Sequence, residues 1–260
     1  MRVLLTNDDG ITATGLNAMR RALLELPDVD LEVIAPDSNR SATGRAVTLR
    51  DPIWVEEFDF ADGTTGFATD GTPVDCVRFA ALGLIEAPPE LIVSGINHGA
   101  NLGDDITYSG TVAAALEGIM LNIPAVAVSL VRGGDFLPLA AFVARLVDEL
   151  DDVPMPERTL LNVNGPGGDV KGACACRLGK RVYNDKMELT EEEEGGRRRY
   201  RLYGEEPSYE HETGTDFAAI AEGLIAVTPI HFDLTDQAGV EELAGFDLER
   251  LLRPATEAVE

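Results

Sequence analysis

The chain has 260 residues, enough for one large α/β domain, and 45% hydrophobic residues with 26 Gly and 14 Pro, the make-up of a packed globular protein. Asp and Glu total 46 against 21 Lys and Arg, a formal charge of −25, which disfavours any nucleic-acid polymer as partner. No apolar run reaches the ~18 residues that cross a bilayer, and MRVLLTNDDG meets two acids before a signal-peptide core forms, so a cytoplasmic protein without a membrane partner is expected.

Residues 3–5 are apolar and read as a buried strand. Thr12 or Thr14 is expected to cap a helix over 15–26, with Leu16, Met19, Leu23 and Leu24 on one face. A second strand over 31–35 stops at Pro36, and 46–67 is irregular or hairpin-like, broken at Asp62-Gly63. Thr72-Pro73-Val74-Asp75 is a helix start: a capping Thr, Pro at the first helical position and an acid in the first turn. That helix is predicted to run to about residue 84. A third strand spans 91–93, a loop rich in Gly, Asn and Asp spans 95–109, and an Ala-rich helix spans 111–120. A fourth strand over 125–130, a helix over 137–150 and a fifth strand over 160–163 follow.

This alternation predicts a doubly wound, Rossmann-like α/β fold with a mostly parallel sheet covered on both faces. Ligands in such sheets bind beyond the carboxyl ends of the strands, which selects three loops: 6–10, 37–45 and 95–109. After about Gly165 the pattern changes. An acidic run at 191–194, Gly195-Gly196 and a basic run at 197–199 are either two strands with opposite charges facing each other or an exposed loop. A strand over 223–229 and a terminal helix over 243–252 close the chain.

The acidity has a second consequence. Three of the 21 cations are lysine, Lys171, Lys180 and Lys186, and arginine supplies the other 18. Such a surface repels itself in dilute buffer, and at ~1 M salt the Debye length falls to ~3 Å, so a salt-loving host is expected. The three cysteines, Cys76, Cys174 and Cys176, have no framework spacing and read as small hydrophobes rather than disulfide or zinc partners.

Asn7-Asp8-Asp9-Gly10 follows the first strand directly. Two adjacent carboxylates in a turn repel each other unless a cation lies beside them. The second loop, APDSNRSATG at 35–44, is dense in hydroxyls and amides. The third, SGINHGANLGDDITYSGT at 94–111, ends with Ser109-Gly110-Thr111 at a helix start, either a plain cap or an anion site.

Together NDDG at 7–10, APDSNRSATG at 35–44, GTPVDC at 71–76, SGINHGANLGDDITYSGTVAAALEG at 94–118 and GTDFAAIAEGLIAVTP at 214–229 closely resemble the SurE family of survival-protein 5′/3′-nucleotidases. The resemblance covers roughly residues 1–230, in the same order. It implies one divalent cation held by Asp8, Asp9, Ser41 and Asn97, all oxygen donors suited to Mg²⁺, Mn²⁺ or Ca²⁺. It places Asn101, Ser109, Gly110 and Thr111 at the phosphate, and makes the chain a homodimer or homotetramer. The expected division is a core with the active site at 1–165 and a C-terminal part at 166–260. The latter carries an oligomerisation hairpin at about 180–205, a returning strand and a terminal helix.

The activity so implied is metal-dependent hydrolysis of nucleoside 5′-monophosphates, a small-molecule substrate, extending to 3′-monophosphates and polyphosphate. Asp8 is the catalytic candidate, orienting or deprotonating the attacking water; a nucleophilic Asp8 passing through an aspartyl-phosphate stays open. His98 is a candidate general acid or plain loop filling, Arg40 and Arg45 are candidate anion binders or solvated arginines, and His211 and His231 have no assigned role. A haloacid-dehalogenase-type phosphatase spaces its two acids one apart, whereas here they are adjacent. A dinucleotide dehydrogenase lacks its G-x-G-x-x-G. A non-catalytic nucleotide-binding sensor explains the glycines and leaves Asp8-Asp9 without a task.

Overall fold

The first strand, β1 (Arg2–Thr6), sends alternate side chains to opposite faces: Val3 and Leu5 join one apolar cluster and Leu4 the other. A computed structural model describes residues 1–193, 195–204 and 208–252, so Glu194 of the expected acidic run lies outside the described residues. In chain order there follow α1 (Thr14–Leu24), β2 (Asp30–Pro36), β3 (Val55–Asp59), β4 (Thr65–Thr69), α2 (Pro73–Leu82) and β5 (Leu91–His98). Next come α3 (Gly110–Met120), β6 (Ala125–Leu130), α4 (Phe136–Asp148), β7 (Thr159–Gly165), β8 (Gly172–Ala175) and β9 (Arg181–Val182). The last are β10 (Asp185–Glu192), β11 (Arg198–Gly204), β12 (Ser208–Tyr209), α5 (Asp216–Ala221), β13 (Leu224–His231) and α6 (Gln237–Ala244).

Among the described residues nine strands form one sheet in the order β3-β4-β2-β1-β5-β6-β7-β13-β8. From β4 through β7 every pairing is parallel; β3 and β13 run antiparallel to β4 and β7. Leu16, Met19 and Leu23 of α1 and Leu139, Val143 and Val147 of α4 pack on Val3, Leu5, Val93 and Val128. Val77 and Ala80 of α2 and Val112, Ala115 and Ile119 of α3 pack on Leu4, Ile34, Ile92 and Ala127. The sheet is therefore covered on both faces, which is why its central strands read as apolar runs rather than alternations. The chain turns from β1 to β2 on one side, while β5 lies on the other. The strand order thus reverses between β1 and β5, the crevice where open α/β sheets hold ligands.

The expected start of α2 is present in full: Thr72 Oγ1 accepts from Asp75 N–H at 3.2 Å and Asp75 Oδ2 accepts from Thr72 N–H at 2.9 Å. The helix ends two residues early, at Leu82, because Gly83 takes a left-handed conformation, φ 105°. Several local expectations are corrected. Neither Thr12 nor Thr14 caps α1. Ala13 does, without a side-chain bond, because its N–H closes a turn onto Gly10 C=O at 3.0 Å. The loop expected from residue 95 begins later: β5 runs on to His98, since β6 offers Ser129 and Leu130 as partners for Asn97 and His98. The single helix expected over 243–252 is instead α6, ending at Ala244 before Gly245, and a separate turn over Leu248–Leu252. The strand-like alternation of Cys174-Ala175-Cys176 falls at the end of β8, with both cysteines half-buried, whereas the strands β9 and β12 and the helix α5 were not anticipated. The opposite charges around Gly195-Gly196 do face each other on β10 and β11: Arg198 pairs with Glu192 and Arg199 with Glu191, each at 2.8 Å.

Candidate active site

The turn after β1 is built by Asn7, which is wholly buried. Its Oδ1 accepts from Gly10 N–H at 3.1 Å and its amide donates to Gly10 C=O at 3.0 Å. Gly10 needs its φ of 106°, and a Cβ there would sit 3.3 Å from the Ser38 backbone. The turn aims Asp8 and Asp9 apart. Asp8, 3% exposed, reaches α3: Thr111 donates its hydroxyl to Oδ1 at 2.6 Å and its N–H to Oδ2 at 3.2 Å. Burial raises the Asp8 pKa above its ordinary value and the Asp9 charge adds to the rise, against the two bonds from Thr111. Asp9 instead accepts from the Asn39 amide and from the His98 N–H, both at 2.9 Å.

The other two loops close on this pair. Arg40 N–H donates to Asp8 C=O at 2.7 Å, and Gly44 N–H to Tyr108 C=O at 3.2 Å. Ser41 N–H donates to Asn39 Oδ1 at 2.9 Å, so one asparagine ties Ser41 to Asp9. Asn97 spends its amide N–H on Gly99 C=O at 2.7 Å, and its Oδ1 accepts nothing from the described residues. Asn101 is held by the ends of two strands. Its N–H donates to Asn164 Oδ1 at 2.8 Å, its amide to Ser129 Oγ at 2.7 Å, and its C=O accepts from Asn162 and Asn164. Ser109 caps α3 by accepting from Val112 N–H at 3.1 Å. Gly110 is required where it stands, because a Cβ there would meet Asp8 Cβ and Oδ2 at 2.9 Å.

Asp8, Ser41, Asn97, Asn101 and Ser109 thus line one cleft of about 790 Å³. Gly110 and Thr111 are buried behind Asp8. Arg40 turns away to Asp37 and the Asp70 carbonyl, and Arg45 to the buried Glu117 and the Phe232 ring; neither lines the cleft. The His98 ring lies edge-on to Phe136, 6.0 Å between centroids.

A further wall of this cleft joins Asp105 and Tyr108 of the third loop to Arg132, Arg181 and Tyr183, which lie outside the three loops selected from the sequence. Arg181 pairs with Asp105, to which the Tyr183 hydroxyl also donates. Behind the wall, fully buried Asp216 accepts N–H groups from Gly103 at 2.7 Å, Gly179 at 2.8 Å and Phe217 at 2.9 Å. The strand-end rule, applied to the loop after β6 as well, would have found Arg132. Nothing local pointed to Arg181 or Tyr183.

Among the described residues no group of three or more His, Cys, Asp or Glu side chains gathers as a metal site. A cation at this turn would rest on the carboxylates Asp8 and Asp9 and on neutral oxygens of Ser41 and Asn97. That set is hard and oxygen-only, so the residues fit a Mg²⁺-like ion and not zinc.

Comparison with known proteins agrees with the geometry. The family model described as survival protein SurE matches residues 3–185. A 5′-nucleotidase SurE of Rubrobacter xylanophilus is 49% identical, over 97% of this chain and 99% of its own length. One of Chloroflexus aggregans is 44% identical, over 96% and 100%. The crystal structure of the SurE protein from Aquifex aeolicus superposes with a TM-score of 0.80 at 36% identity, over 97% of this chain and 100% of that one. This chain belongs to the SurE survival protein family.

Proposed function

We propose that this chain is a phosphomonoesterase that hydrolyses nucleoside 5′-monophosphates to nucleoside and phosphate. The observation that carries the reading is Asp8. It is a carboxylate buried to 3% exposure at the strand-order reversal, anchored by Thr111 at a helix N-terminus, and facing a cleft with Asn97, Asn101 and Ser109. Relatives that bear the name 5′-nucleotidase SurE over nearly their whole length support it.

Asp8, Asp9, Ser41 and Asn97 would hold one divalent cation, Mg²⁺, Mn²⁺ or Ca²⁺, which when bound supplies charge neutralisation for a phosphate oxygen and a more acidic water. Asp8 orients the attacking water and takes its proton. The Thr111 bonds keep it in one rotamer. Ser109 and Asn101, which line the cleft, offer donors to the phosphoryl oxygens, and the α3 N-terminus at Gly110 and Thr111, behind Asp8, adds its positive dipole. The segment of β10 and β11, with Met187, Leu189, Tyr200 and Leu202 exposed, is the candidate arm between copies in a homodimer or homotetramer. No helix among the described residues is long and apolar enough to cross a membrane, and we place the enzyme in the cytoplasm of a salt-loving cell.

The test is phosphate release from AMP. Turnover lost with chelator and restored by Mn²⁺ or Mg²⁺ supports the reading. Tight AMP binding without release under any metal replaces it with a nucleotide sensor.

A further inference from the structure

We propose that Arg132 is a phosphate-binding residue of this cleft, gripping the anionic end of the substrate beside Asn97. The inference rests on the nucleotidase reading for its substrate but not for its anion. Two arginines line the cleft among the described residues. Arg181 is neutralised by Asp105 and stacked over the Phe217 ring, 4.7 Å from its centroid. Arg132 has no ion pair and no hydrogen bond with any described residue. In a chain with 46 acids and 21 Lys plus Arg, a cleft arginine left without a carboxylate is a positive charge held for something else.

Its position follows from the sheet. β6 ends at Leu130, whose C=O accepts from Gly99 N–H at 2.9 Å, while Val131 N–H is tied to Gly165 C=O at 3.1 Å. Arg132 is the next residue, so its backbone is fixed beside the end of β5 that carries Asn97. A Cβ built on Gly99 would lie 3.7 Å from Arg132 Nε and 3.8 Å from Asn97 Nδ2. The guanidinium and the Asn97 amide therefore flank the same bare glycine. With no side chain at 99, the gap between them stays open to a ligand. The acids of the site, Asp8, Asp9 and Asp105, would repel a phosphate dianion, and a planar fork of donors offsets that repulsion and accepts two phosphate oxygens at once.

The experiment compares the metal-loaded protein with its Arg132→Gln and Arg132→Lys variants. Charge-assisted hydrogen bonds of this kind are worth roughly 10-fold or more in affinity, the lower end applying to an exposed arginine. Arg132→Gln is expected to raise KM for AMP and the inhibition constant of inorganic phosphate about 10-fold, with kcat within about 3-fold and an unchanged melting temperature. Arg132→Lys should recover part of the loss, because it keeps the charge without the fork. The wild-type inhibition constant should also rise with KCl more steeply than that of the Gln variant, a readout that a structural role would not move.

Direct titration of inorganic phosphate needs no turnover and separates this inference from the nucleotidase reading. Phosphate binding that weakens about 10-fold in Arg132→Gln upholds Arg132 even if AMP is never hydrolysed. Equal affinity in both proteins, or no phosphate binding by the wild type, overturns it.

Discussion

Replacing Asp8 by Asn should move activity and stability in opposite directions, and the reason can be worked from the site. The carboxylate is 3% exposed, and burial sets its pKa above the ordinary aspartate value. The folded metal-free protein therefore binds this proton more tightly than the unfolded chain. The Asp8 contribution to stability is full at low pH and is lost as pH rises through the carboxylate range, each unit of difference being worth about 1.36 kcal/mol. Asparagine has the same shape and no charge. Its carbonyl accepts the Thr111 N–H now 3.2 Å from Oδ2, and its amide donates to the Thr111 hydroxyl now 2.6 Å from Oδ1. In EDTA at pH 8 the variant should melt no lower than wild type and up to a few degrees higher, since about 1 kcal/mol moves the melting temperature ~2–4 °C in a domain of this size. At pH 4 the difference should shrink. Turnover of AMP at saturating Mn²⁺ should fall at least ~100-fold, or about 2.7 kcal/mol of transition-state stabilisation. Malachite-green phosphate release and calorimetric melting read the two effects. A kcat within about 3-fold of wild type would put the catalytic carboxylate elsewhere, and a melting temperature lowered by more than ~5 °C in EDTA would show that the charge is stabilising as it stands.

Four further outcomes are expected. Gly110→Ala brings a methyl to 2.9 Å from Asp8 Cβ and Oδ2; displacing that carboxylate should cut kcat at least ~10-fold, and full activity in this variant would show that Asp8 has room to spare. Asp216→Ala leaves the buried N–H groups of Gly103, Gly179 and Phe217 without their acceptor, at about 1–3 kcal/mol each; urea unfolding should lose about 3 kcal/mol or more, and a loss under ~1 kcal/mol refutes the staple. Cys76 is buried with its thiol pushed up to about 12, whereas Cys174 and Cys176 are half-buried. A thiol reagent should therefore label two cysteines in the native protein and the third only in denaturant; three fast equivalents would contradict that burial. Raising KCl toward molar levels should raise the melting temperature as charge repulsion is screened, and equal stability in dilute buffer removes the salt-loving host.

What the sequence determined by itself is local. Apolar runs located the strands, and the run expected at 125–130 is found as Ala125–Leu130, because a strand buried on both faces needs no partner to be recognised. Thr72-Pro73-Val74-Asp75 announced a helix start since a capping box is closed within four residues. The strand-end rule and the motifs of the resemblance drew Asp8, Ser41, Asn97, Asn101 and Ser109 toward one place, and the structure gathers them on one cleft. The tertiary structure alone decided what those residues do to each other. It made Thr111 a partner of Asp8, 103 residues away, and turned Arg40 and Arg45 out of the cleft toward Asp37 and Glu117. It also built the far wall from Asp105, Arg181 and Tyr183, stapled through Asp216 to Gly103 across 113 residues. Periodicity and capping act over a few residues, whereas the partner of a buried charge is chosen by whichever segment the packed sheet brings within about 3 Å. No local pattern encodes that choice.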